Sequence, residues 1–285
     1  MKTIITIMAF AAFQFSNAQE FQGMATYFSK TSIEEITAGL EGNNEIPQEM
    51  QKMMKERMKK MFEKTFTLTF NKNESIYTEE QQLETNDNPG DRMLSSVMGT
   101  SGKQYKNIKD KRFVANKEFF GKEFLIKDSL PNLSWKMGTE TKKIGDYNCY
   151  KATAVIAISV TDVSNIKLPA PNNKKEESIV SEDNQTPKEK TITAWYCLDI
   201  PISQGPDNYW GLPGLILEIN DGKTTILCTK LVLNNNEKLE IIPAKNGKSV
   251  TQKEFDEIVI KKRKEMRERG DFRPPGPRGA GSFGR

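Results

Sequence analysis

AWYCLDIPISQGPDNYWGLPGLILEI, Ala194 to Ile219, reads as two apolar strands separated by a turn-rich connection. Pro201 follows Ile200 and ends the first strand, because proline has no backbone N–H to give a sheet. Gly205-Pro206 marks a sharp turn. Gly211-Leu-Pro-Gly-Leu-Ile216 then forms a tight turn that feeds a second strand, Leu215–Ile219. Gly211 and Gly214 permit a positive φ or a close backbone approach, and Pro213 fixes one φ. Leu212, Leu215, Ile216 and Leu217 bury the corner, while Glu218 alternates to the other face. One reading is a rigid corner of a sheet. The other makes Asp199, Asp207 and Glu218 a carboxylate site at the mouth of a cleft.

Outward from this corner the chain is rich in short strands. Residues 20–30, 65–70 and 74–77 precede a polar loop at 79–102. Strands follow at 104–107, 112–117, 123–127, 134–137, 140–144 and 147–160, then 191–198, 215–220, 224–232 and 238–243. Turn chemistry separates them: Asn71-Lys-Asn73, Ile144-Gly-Asp146, and Asn220-Asp-Gly-Lys223, where Asp-Gly favours a type I′ hairpin. There is no βαβ alternation, which predicts a mostly antiparallel sheet.

Two helices accompany the strands. Residues 47–64 form a strongly helical run with Met50, Met53, Met54, Met58 and Met61 on one continuous face. Three readings of that stripe stand. It is an amphipathic helix packed on a sheet, an adaptable lid over an apolar ligand or partner, or a thioether site for Cu(I) or Ag(I), with Met50, Met54 and Met58 the metal candidates. Thr251-Gln-Lys-Glu254 is a capping box, and Phe255, Ile258 and Val259 share one face behind it. Ser32-Ile-Glu-Glu35 also has capping-box form and opens a short helix ending near Leu40.

The chain has 285 residues, no histidine and a net charge of +4. Without histidine, a Ser-His-Asp triad, a Cys-His dyad and an imidazole metal site are excluded. Met1-Lys2, the apolar Ile4–Phe15 and Ser16-Asn-Ala18 make residues 1–18 a secretory signal peptide, too short to span a bilayer. No transmembrane span is expected in the mature chain. Residues 19–260 form one β-rich domain with a disordered insertion at 163–190. Residues 261–285 are a basic Gly/Pro/Arg-rich tail carrying nine Lys/Arg and three Asp/Glu, a net of +6, so the rest of the chain is near −2. The tail suits anionic envelope surfaces, and export argues against nucleic acid. Cys149, Cys197 and Cys228 each lie in a strand-like run and read as small buried hydrophobes, with one disulfide left open. Tyr209-Trp210 reads as an exposed aromatic pair suited to contact with a partner.

The chain resembles the GLPGLI family, whose six-residue motif stands at Gly211–Ile216 without departure. Phe120-Gly-Lys-Glu-Phe-Leu-Ile-Lys-Asp128, Trp135-Lys136 and Ile144-Gly-Asp-Tyr-Asn-Cys-Tyr-Lys-Ala152 match its other segments. The resemblance runs from about Phe21 to Ile242. It leaves out the insertion and the tail. It implies an exported Bacteroidota-type protein of unassigned function, often encoded near TonB-dependent outer-membrane transporters, and it supplies no catalytic residues. The expectation is an α+β fold: a curved, half-barrel-like antiparallel sheet on which the Met-rich and C-terminal helices pack. By element order it is similar to half-barrel periplasmic lipid carriers. The expected function is non-catalytic binding in the periplasm or at the outer membrane, as a transport accessory or a carrier of an apolar ligand, with no cofactor. The alternatives are metal handling and a carboxylate hydrolase.

Overall fold

The structure, a computed structural model, describes residues 21–37, 47–80, 100–159, 162, 189–234 and 239–269. Along the chain run β1 (Gln22–Thr31), α1 (Glu34–Thr37), α2 (Gln48–Phe62), β2 (Glu63–Asn71), β3 (Glu74–Glu79), β4 (Thr100–Asn107) and β5 (Arg112–Phe119). Then come β6 (Lys122–Ser129), β7 (Lys136–Ile144), β8 (Tyr147–Ala157), β9 (Glu189–Cys197), β10 (Leu215–Asn220), β11 (Thr224–Leu233), β12 (Lys248–Val250) and α3 (Gln252–Arg269). The twelve strands form one open sheet in the order β12-β6-β5-β4-β3-β2-β1-β11-β10-β9-β8-β7. Every neighbouring pair is antiparallel except β12 with β6. The fold is therefore α+β and mostly antiparallel. The pairing of β1 with β11 joins an N-terminal meander to a C-terminal one.

The sheet curls. β5 and β8 stand eight places apart in the order, about 38 Å in a flat sheet with strands roughly 4.8 Å apart. Yet Phe113 of β5 and Ile156 of β8 line the same cavity. α3 covers β5 and β6 from one side, with Phe255 and Val259 buried against Phe113, Phe119, Phe124 and Ile126.

Turn chemistry sets the register. Asn71 Oδ1 accepts from the backbone N–H groups of Asn73 and Glu74, at 2.9 and 2.7 Å, and closes β2 onto β3. At Asn220–Lys223 only Gly222 has positive φ, +90°. A type I′ turn needs it at both central residues, so the expected type is replaced by a glycine-first turn of the II′ kind. The doubly left-handed pair lies instead at Phe120 (φ +51°) and Gly121 (φ +68°), between β5 and β6.

Two expected strands differ. Residues 134–137 and 140–144 merge into β7, whose register breaks between Met137 and Thr141. Residues 239–243 form no strand. Pro243 lacks an N–H, and Ile241 and Ala244 instead cover the sheet face made by Ile76, Tyr105, Val114 and Leu125. The last strand falls later, at Lys248–Val250.

α2 starts after Pro47 without a side-chain cap and passes straight into β2 at Glu63, which is extended. α3 has its capping box: Thr251 Oγ1 accepts from the Glu254 N–H at 3.2 Å, and Glu254 Oε2 accepts from the Thr251 N–H at 2.7 Å. α3 continues through the basic Lys261–Lys264 and Arg267 to Arg269, as expected for a helix ended at Gly270, so the first part of the basic segment 261–285 is helical. The expected signal peptide, residues 163–188 of the insertion and residues 270–285 of the tail lie outside the described residues.

Candidate functional site: a strapped cavity in the curled sheet

The Gly-Leu-Pro-Gly corner is packed backbone against backbone. A Cβ on Gly214 would stand 2.6 Å from the Cys197 carbonyl carbon and closer still to its oxygen. Gly211 is needed for a different reason, its φ of +95°. Leu212, Leu215, Ile216 and Leu217 are fully buried, and Tyr27 Oη donates to the Ile216 carbonyl at 2.7 Å.

Residues 198–214, between β9 and β10, make a strap that reaches across to β3 and β4. Lys106 of β4 is completely buried. Its Nζ donates to the carbonyls of Gly205 (2.5 Å), Asp207 (2.5 Å) and Tyr209 (3.3 Å). Burial pulls the Lys106 pKa down to about 7, and the Asp207 carboxylate opposes the shift. Ser75 Oγ of β3 donates to Gln204 Oε1 at 2.9 Å. Trp210 Nε1 donates to the Pro131 carbonyl at 2.9 Å, while its own carbonyl accepts from Trp135 Nε1 at 2.8 Å. Sequence reasoning missed Lys106. Its one signal is phase: Gln104 and Lys106 alternate with Tyr105, and a polar phase reads as solvent-facing.

Beside the strap the curled sheet encloses an open cavity of about 970 Å³. Phe66, Phe113, Phe119, Ile156, Ile226 and Phe255 give it an apolar wall, to which Met61 and Phe62 of α2 contribute. Polar side chains cluster in one part. Tyr77 of β3 is directly opposite Gln104 of β4, and Gln104 is opposite Ala115 of β5. Lys117 lies two residues beyond Ala115, on the same face. Asn208 comes from the strap, and all four line the cavity. Elsewhere in the wall Lys64 pairs with Glu79 at 2.8 Å, and Lys190 with Asp162 and Asp221 at 2.6 and 2.5 Å, while the carboxylates of Glu118, Asp128, Asp207 and Asp256 also line it.

The expected site residues are distributed unevenly. Met58 is 6% exposed and seated on the sheet, Met54 and Met61 are half-buried, and Met50 and Met53 are 54% and 70% exposed. The stripe therefore packs only along its C-terminal half. Tyr209 is buried and lines the cavity, and Trp210 is half-buried. Of the expected exposed aromatic pair, Tyr209 is thus inside the fold and Trp210 is partly covered, because the strap folds inward. Of Asp199, Asp207 and Glu218, only Asp207 lines the cavity. Both Glu218 carboxylate oxygens accept from Lys142 Nζ of β7, at 2.6 Å. Cys149 and Cys197 are fully buried thiols directly opposite each other in β8 and β9, and Cys228 is half-buried. Burial pushes the Cys149 thiol up to about 12 and Cys228 to about 11.

A family described as "Protein of unknown function (Porph_ging)" matches residues 135–218, the stretch from Trp135 through the corner to Glu218. That match is consistent with the resemblance drawn from the motif. No curated protein matches the chain. Among solved structures the chain is similar to PNGF-II in its C2 crystal form, at 16% identity and a TM-score of 0.46 over 85% of this chain and 33% of that one. The P21 form gives 15% identity and a TM-score of 0.46, over 85% and 34%. The chain thus spans about a third of the length of the solved structures it matches. No helix among the described residues is long and apolar enough to cross a membrane.

Proposed function

We propose that this protein is an exported, non-catalytic binding protein of the cell envelope, periplasmic or outer-membrane-associated, that takes an apolar ligand into the cavity of its curled sheet. It acts as a carrier or as an accessory to a TonB-dependent-type outer-membrane transport system. The observation that carries this reading is the cavity. Its volume of about 970 Å³ is at the upper end of small-molecule sites. Its wall joins a continuous set of aromatic and branched side chains, Phe66, Phe113, Phe119, Ile156, Ile226 and Phe255, to polar and charged groups, and apolar surface with convergent polar groups is the make-up of a ligand pocket. A curled sheet partly covered by helices has the half-barrel layout suited to a lipid carrier. Met61 at the cavity supports an adaptable wall, since methionine repacks readily.

The test is saturable binding of the fluorescent apolar probe N-phenyl-1-naphthylamine. Wild type is expected to bind about one probe per chain, and Ile156→Trp with Ile226→Trp, which fills the cavity, to weaken binding about tenfold or more while the melting temperature holds. A wild type without saturable binding, or a folded filled variant that binds as well as wild type, overturns the reading.

A further inference from the structure

Tyr77 and Gln104 are 3% and 7% exposed. Tyr77 Oη, Gln104 Oε1 and Asn208 Oδ1 are buried without a hydrogen-bond partner among the described residues, and all three residues line the cavity. Buried polar atoms are almost always bonded, so three orphans on residues that line one cavity mark a place suited to a polar group. Lys117 completes the patch. Strand spacing puts Tyr77 and Gln104 roughly 5 Å apart and Lys117 about 7 Å further along the next strand. Its Nζ has no ion-pair partner among the described residues and lies 5.6 Å from the centre of the Phe255 ring. Burial lowers its pKa, while Asp207 and Asp256 at longer range favour the proton. Asp256 itself accepts from Gln252 Nε2 at 2.8 Å.

We propose that the cavity's ligand is an anionic amphiphile, a single long acyl chain ending in a carboxylate, with its head on Lys117, Tyr77, Gln104 and Asn208 and its chain among Phe113, Phe119 and Phe255. This rests on the apolar-ligand reading above and names the ligand's class. The carboxylate supplies a close ion pair for Lys117, which Asp207 and Asp256 reach only at longer range, and an acceptor for the Tyr77 hydroxyl. The side-chain amides of Gln104 and Asn208 can turn their N–H ends toward it, since either end of an amide can face a partner. A charge-assisted bond is the strong kind, and a site surrounded by aromatic rings strengthens it further. A neutral head leaves Lys117 with only the longer-range charges of Asp207 and Asp256. A cationic head meets its like charge.

The experiment measures displacement of N-phenyl-1-naphthylamine by myristate, tetradecanol and tetradecyltrimethylammonium, three heads on one chain length. It uses wild type, Lys117→Met and Lys117→Arg, each shown to be folded by its melting temperature. Wild type is expected to prefer myristate about tenfold or more over both other chains. Lys117→Met should lose that preference while holding tetradecanol as well as wild type does, and Lys117→Arg should restore most of it. Equal affinity for the three heads, a preference for the ammonium, or an unchanged preference in Lys117→Met overturns the anionic head and leaves the cavity reading standing. A wild type that binds no chain of any head overturns both.

Discussion

At the scale of single residues, the corner motif is a set of separate geometric demands. Gly214 is present because the Cys197 carbonyl occupies the space a side chain would need. Gly211 is present because its φ of +95° is costly for any residue with a Cβ, and no neighbour crowds it closer than 3.8 Å. The two substitutions should therefore differ. Gly211→Ala stores backbone strain of about 1–3 kcal/mol. Gly214→Ala must push β9 away from the strap, and a forced backbone shift of this kind costs about 3–5 kcal/mol, at the far end of single-residue effects. Urea unfolding of both variants checks the order. Gly214→Ala within about 1 kcal/mol of wild type would mean that the strap slides to accommodate the methyl group. The glycines and the apolar residues around them were legible in sequence. Which glycine answers to which demand was not, since a close approach between residues 197 and 214 exists only once the strap has folded.

At the scale of elements, the two long helices show what local signals can and cannot carry. The α3 capping box is a contact between residues three apart, and it stands in the structure as its residue types predict. The seat of α2 depends on what faces it. A continuous methionine stripe fits full burial, but the sheet meets only the end nearest β2, so Met58 and Phe62 are covered while Met50 and Met53 stay in solvent. Periodicity gives the face of a helix but not how far its partner extends. Residues 239–243 fail for a related reason, as apolar residues that cover a sheet face resemble a strand. The cap makes a pH prediction. Its hydrogen bonds from Thr251 hold the Glu254 carboxyl below its ordinary value. A carboxyl depressed in the folded state contributes stability that is complete above its unfolded pKa, about 4.3, and is lost as pH falls through the folded pKa. The melting-temperature gap between wild type and Glu254→Gln should therefore be widest at neutral pH and close as pH drops below about 4.3. A gap that is constant down to pH 2 would show that the charge has no part in the cap.

At the scale of the whole molecule, strand content and antiparallel pairing were legible, because alternation and hairpin turns are local. A curved sheet was expected as well, but the β1–β11 pairing, between residues about 200 apart, and the cavity were not legible. Lys106 is the clearest case. It looks like a surface lysine, yet the curl places it under the strap, where its ammonium binds three strap carbonyls. Through it β4 is tied to the β9–β10 connection, two parts of the sheet that share no strand pairing. Lys106→Met keeps most of the side-chain volume and removes the donor, leaving those carbonyls buried with one partner fewer. Unsatisfied buried groups cost about 1–3 kcal/mol each, partly relieved where the strap can admit water. The expected loss is therefore about 3–5 kcal/mol, with faster amide hydrogen exchange in β3, β4 and the strap than in β7 and β8. The pH dependence has a definite sign. Burial lowers the folded pKa to about 7, whereas an unfolded lysine holds its proton to about 10.4. Across that window the unfolded chain binds more protons, so wild-type stability should rise with pH relative to Lys106→Met. Denaturant unfolding of both proteins from pH 7 to pH 10 reads this difference directly. A difference that stays flat across that range would mean that the three carbonyls outweigh desolvation and hold the ammonium charged throughout. A variant as stable as wild type, with unchanged exchange in the strap, would show that the Ser75–Gln204 bond, Trp210 and the Gly-Leu-Pro-Gly corner hold the strap without Lys106.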